Sequence, residues 1–70
     1  MEDFERTNLI YFCQAVQISQ GNLEKLKGFI AIVLRKPRSQ SFIAQVGRFQ
    51  NLQSSKDAIA LAQQVRAELI

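Results

Sequence analysis

The chain has no histidine and no tryptophan, a single cysteine (Cys13), a single proline (Pro37) and only three glycines. Each shortage closes a class of function. Without histidine the commonest general base is missing, and the serines have no imidazole to activate them. With one cysteine no intramolecular disulfide forms, and with no histidine either there is no Cys/His zinc site. Gly21, Gly28 and Gly47 are too scattered for a phosphate-cradling loop. Acidic residues are few: Glu2, Asp3, Glu5, Glu24, Asp57 and Glu68. Three of them crowd the N-terminus and Asp57 opens the last segment, positions that suit helix starts rather than paired acid–base work. The sequence therefore predicts a protein that is not an enzyme and carries no metal or cofactor. Long apolar runs are absent too. The longest is Phe29 to Leu34, far short of a membrane span. The start, Met1-Glu2-Asp3-Phe4-Glu5, is acidic where a secretory signal is basic, so a cytoplasmic location with no membrane insertion is expected. Cys13, beside Phe12 and Val16, reads as a small buried hydrophobe with no basic neighbour to activate its thiol.

Seventy residues make one small domain, residues 1–70. Hydrophobic residues make up 47% of the chain, enough to fold and more than so small a core absorbs. The surplus points to a homo-oligomer or to a subunit of a larger complex.

The net charge is +3, and its distribution says more than its size. From Lys25 to Arg48 the chain holds Lys25, Lys27, Arg35, Lys36, Arg38 and Arg48 and no acid. Such a block suits nucleic-acid phosphates or an acidic protein surface.

Periodicity gives the outer elements. Leu9, Phe12, Cys13 and Val16 lie at helical offsets within a helix expected over Asp3 to Ser19. Ile10 and Ile18 stand off that stripe. Gln20-Gly21-Asn22 breaks the helix, with Gly21 as a left-handed stop. Near the other end Ser54 or Ser55 caps a helix whose buried stripe is Ala58, Leu61, Ala62, Val65 and Leu69. Leu9, Phe12, Leu61 and Val65 are the expected core.

The middle reads two ways. Leu23, Leu26, Ile30 and Val33 are an acceptable helical stripe that Pro37 would end. Yet Gly28 to Leu34 is apolar all round and rich in β-branched residues, as a buried strand is. An internal repeat favours the strand. Phe29-Ile30-Ala31-Ile32-Val33-Leu34-Arg35 recurs as Phe42-Ile43-Ala44-Gln45-Val46-Gly47-Arg48, identical at five of seven positions. Folded about a Pro37–Gln40 loop, the copies make an antiparallel hairpin with Phe29 opposite Arg48 and Arg35 opposite Phe42. The expected fold is thus α+β: an N-terminal helix, a two-stranded hairpin near Gly28–Lys36 and Phe42–Phe49, and a C-terminal helix. The alternative is all-α, with three to four short helices.

On the hairpin reading the candidate binding residues are Arg35, Lys36, Arg38 and Arg48 for phosphates, and Phe29 and Phe42 for stacking on bases. The function expected is a small, non-catalytic, basic module that binds nucleic acid or regulates through that hairpin. The alternative is an adaptor or accessory subunit, or a homodimeric interaction protein. The order hairpin, Gly47-Arg48-Phe49, polar residues, then Ser55-Lys56-Asp57-Ala58 opening an alanine-rich helix resembles the hairpin–helix end of ethylene-response-type DNA-binding domains. It is similar, too, to the arm-binding domains of tyrosine integrases. The likeness covers roughly the last sixty per cent of the chain and implies a sheet that reads DNA. The families' first strand has no counterpart here, and no residue role is carried over. Gln40 to Phe49 loosely suggests the first half of a helix-turn-helix, but Gly47 follows Ala44 by three residues where that motif wants four.

Overall fold

In the computed structural model, which describes residues 1–70, the chain is four helices and no strand: α1 (Asp3–Ile18), α2 (Leu23–Val33), α3 (Gln40–Gly47) and α4 (Ser55–Leu69). The α+β expectation is overturned in the middle of the chain, and the all-α alternative describes the fold. The outer helices lie where periodicity put them.

Local signals explain why residues 22–47 coil rather than extend. Asn22 caps α2, its side-chain oxygen accepting from Lys25 N at 3.0 Å. Ser39 caps α3 in the same way, accepting from Phe42 N at 3.2 Å. A side-chain cap satisfies one of the four donors a helix start leaves open, so each cap favours a helix that runs on into a segment where a strand was expected. The repeat that suggested a hairpin is a helical signature. Its shared Phe and Val stand four apart, and Phe42 and Val46 are fully buried on one face of α3. In the earlier copy Phe29 and Val33 pack against the core from α2. The alanine between them, Ala31 or Ala44, is exposed each time. Tertiary burial of that i, i+4 face overrides the strand preference of Ile30, Ile32 and Val33. Pro37 lies in the loop from Leu34 to Ser39, past the end of α2.

α1 is the spine and packs most extensively on α4. Its Leu9, Phe12, Cys13 and Val16 are buried against Ala58, Ala62 and Val65, with Leu26, Phe42, Val46 and Phe49 completing the core. Phe12 and Phe49 meet edge to face with ring centroids 5.0 Å apart, a favoured aromatic arrangement. Leu9, Phe12 and Val65 are buried as expected. Leu61 is not: it is half-buried on the flank, because Ala58, Ala62 and Val65 form the line that points inward. The small side chains let α4 approach α1 closely.

The left-handed stop comes one residue earlier than expected, at Gln20 (φ +58°), with Gly21 N donating to the Val16 carbonyl and Gln20 N to that of Gln17; Gly21 follows, also at positive φ, +70°. A Cβ there would sit 2.2 Å from the Ser55 carbonyl oxygen, so the turn after α1 also needs glycine to pass the start of α4. Ser54 caps α4, accepting from Asp57 N at 3.1 Å.

Candidate functional site

The six candidate residues do not form one surface. Phe42 has no exposure and offers no ring face to a base, while Phe29 is half-buried and borders a groove between α1 and α2, away from the residues that line the basic hollow. Arg48 lies at the end of α3, where its Nη1 donates to Gln45 Oε1 at 2.8 Å and to Glu68 Oε1 at 3.0 Å. That pair ties α3 to the last turn of α4. Arg48 hydrogen-bonded to Glu68 holds the Glu68 carboxyl below its ordinary range.

Arg38 is half structural. Its Nε donates to the Val33 carbonyl at 2.8 Å, meeting one of the acceptors left open at the end of α2. Its guanidinium lies 4.6 Å from the Phe42 ring centroid and 5.7 Å from that of Phe4. Neither Phe–Arg pair expected from the repeat, Phe29 with Arg48 or Arg35 with Phe42, forms; the cation over the Phe42 ring is Arg38, which lies outside the repeat. Arg35 and Lys36 are exposed and make no ion pair or side-chain hydrogen bond. With Arg38 they line a shallow hollow of about 440 Å³ floored by Leu34, Pro37 and Ile43. No carboxylate lines it. Lys25 and Lys27 are exposed on α2, which precedes the loop.

The opposite flank of Pro37 is acidic. There Met1, Glu2, Phe4 and Glu5 meet Pro37 and Ser39. Glu5 is buried by its surroundings, 6% exposed, and accepts twice from Ser39: from the backbone N at 2.9 Å and from the hydroxyl at 2.7 Å. The backbone bond first and the hydroxyl bond second hold its carboxyl below the ordinary value of 4.5. Sequence reading treats Glu5 as a helix-start charge. Its partner stands thirty-four residues away, and no spacing rule reveals it.

Two further features complete the surface. A cleft of about 310 Å³ runs between α2 and the α3–α4 loop, floored by Leu26 and Phe49 and edged by Lys27, Gln50 and Asn51. Along α1, Phe4, Tyr11 and Ile18 are 59%, 64% and 83% exposed. Sequence reading passes over this outer stripe, although Ile18 standing off the buried pattern is its trace.

Cys13 is fully buried, and desolvation pushes its thiol up to about 11. Arg66 and Arg48 pull the other way, so basic neighbours do exist, but burial dominates and the thiol stays protonated. No three of the Cys, Asp and Glu side chains gather where a metal ion would sit. No helix is long and apolar enough to cross a membrane. The sheet on which the resemblance to hairpin DNA-binding domains rests is absent. No family model matches the chain, and no curated protein or solved structure matches it either.

Proposed function

We propose that the chain is a non-catalytic binding module that grips the phosphate backbone of nucleic acid through the loop between α2 and α3. The observation that carries this is the hollow at Arg35, Lys36 and Arg38: three cations around one concavity, two of them unpaired, with no carboxylate among its lining residues. Arg38 is held in place through its Nε and by the Phe42 ring, and its Nη groups have no partner in the fold. Cations already positioned lose less freedom when a phosphate arrives. Arg48, engaged by Glu68, Phe42, buried in the core, and Phe29, at the α1–α2 groove, are not part of this site. Contacts of this kind go to backbone and not to base edges, so binding is insensitive to sequence.

Retention of a random duplex and of a random single strand, measured across a salt series from about 50 to 200 mM, tests the reading, since counterion release gives about 0.9 log units of slope per phosphate neutralised. The double variant Arg35→Ala/Lys36→Ala should stay folded and lower that slope by about two units on every sequence. Absence of salt-dependent retention by the wild type would sink the nucleic-acid reading and leave an acidic protein as the partner of the loop. The adaptor reading is supported by a separate observation, the exposed Phe4, Tyr11 and Ile18 on α1.

A further inference from the structure

α1 carries two apolar faces, and the fold uses one. The inner face, with Leu9, Phe12, Cys13 and Val16, is buried in the core. On the outer side Phe4, Asn8, Tyr11, Ala15 and Ile18 follow one another at intervals of four, three, four and three residues. This is the spacing of a helix that faces another helix along its length. Phe4, Tyr11 and Ile18 stay largely exposed, even with the Arg38 guanidinium 5.7 Å from the Phe4 ring, so no other helix of the chain covers the stripe. Beside the stripe, Phe29 and Ile32 of α2 form the second wall of a shallow groove that Tyr11 and Ala15 line from α1. At about 190 Å³ and widely open it takes side chains from a flat partner, not a small ligand. Scattered exposed apolar residues call for no explanation, but a full-length stripe beside an apolar wall does.

We infer that the occupant is a second copy of this chain, with the two α1 helices antiparallel. Charge decides both points. Glu2 and Asp3 mark the start of α1, and no other acid follows Glu5 until Glu24. The Asp3 side chain is 97% exposed, with only a 3.6 Å contact to Arg6. At the far end of the same surface stands Lys25, exposed in the first turn of α2. It precedes Phe29 by four residues and Ile32 by seven, which places it on their side of the helix. The exposed Asp3, in loose contact with Arg6, thus marks one end of the stripe, and Lys25, with the exposed Glu24 next to it in the chain, marks the other; Asp3 of one copy reaches Lys25 of a second only when the two run in opposite directions. Antiparallel pairing about Tyr11 sets Phe4 against Ile18 of the second copy and Asp3 against its Lys25, and it opposes the helix dipoles. A parallel pair would stack the acids on each other. Asn8 donates through Nδ2 to the Phe4 carbonyl at 2.7 Å. An asparagine in such a seam favours one register over others.

The pairing needs no nucleic acid, so its test is independent of the proposed function. In equilibrium sedimentation of the protein alone at low salt, the mass should move from monomer toward dimer over micromolar concentrations, as suits a small contact area. Tyr11→Glu, at an exposed position, should leave the circular-dichroism spectrum unchanged and remove the dimer. Orientation is read by oxidative cross-linking, with the buried Cys13 of the wild type as background. Phe4→Cys and Ile18→Cys should each link poorly alone and link to one another when mixed. A wild type that stays monomeric to about 500 µM overturns the inference, since even weak specific pairs register there. So do a Tyr11→Glu variant that dimerises as before, or Phe4→Cys and Ile18→Cys variants that link only to themselves.

Discussion

Glu5 accepts two hydrogen bonds from Ser39, while the Ser39 hydroxyl oxygen also accepts from Phe42 N. One carboxylate on α1 thereby holds the residue that starts α3. The native carboxyl lies below its ordinary value of 4.5, so the unfolded chain binds that proton more readily than the folded one. The resulting stability is fully present above about pH 4.5 and is lost as pH falls through the lower native value. Glu68, lowered by its bond from Arg48, acts in the same direction and window. Glu5→Gln should therefore lower stability at neutral pH and flatten the loss seen on acidification, with the variant and the wild type converging at the acid end. Urea unfolding at a series of pH values reads both, and Glu68→Gln separates the second carboxylate. An unchanged pH slope in Glu5→Gln would mean that Ser39 does not hold the charged form. This link was illegible in the sequence because it joins distant residues. Gly21 was legible as part of a break after α1, which is a local signal, but not in its close approach to the Ser55 carbonyl, which is as distant in sequence as the Glu5–Ser39 link.

At the scale of elements, α1 and α4 follow from periodicity because each carries a line of apolar residues long enough to outweigh local ambiguity. The middle departs from the strand expectation for a definite reason. The run from Gly28 to Leu34 is apolar on every side, so its period could not be read, and composition then favoured a strand. The deciding signals were short ones: the side chains of Asn22 and Ser39 at the helix starts, and a Phe–Val pair four apart in each copy of the repeat. The basic loop was legible as a cluster of Arg35, Lys36 and Arg38. Which of its members were free was not, since that depends on Val33, Phe42 and Phe4 lying beside Arg38. Gly28 gives a test of the helical assignment. It is interior to α2, and a Cβ there would meet nothing within 4 Å. Gly28→Ala should raise stability by about 0.5–1 kcal/mol in thermal or urea unfolding, the ordinary gain of alanine over glycine within a helix. In an extended hairpin the same change brings no such gain, because alanine is not a strand former.

The whole molecule buries only 13 of its 70 residues, so its stability is concentrated in a few side chains. Phe42 is the most telling of them. It is a fully buried phenylalanine on the shortest helix, with Val46 and Phe49 beside it in the core and the Arg38 guanidinium over its ring. Removing it empties the centre and releases Arg38 from the loop that lines the basic hollow. Phe42→Ala should cost about 3–5 kcal/mol, comparable to the entire stability of a domain this size. Leu61, partly buried on the flank of α4, should cost about 1–2 kcal/mol when cut to alanine, less than a fully buried leucine, since part of its surface is already in water. The contrast is read from the unfolding midpoints of the two variants by circular dichroism. It also separates two causes of lost binding. A stacking residue would lower single-strand affinity in a protein that remains folded, whereas a core residue lowers affinity for every nucleic acid in step with the folded fraction. Phe42→Ala should follow the second course. A variant that keeps the wild-type midpoint while losing single-strand binding would place the ring at the surface and overturn the packing of α3.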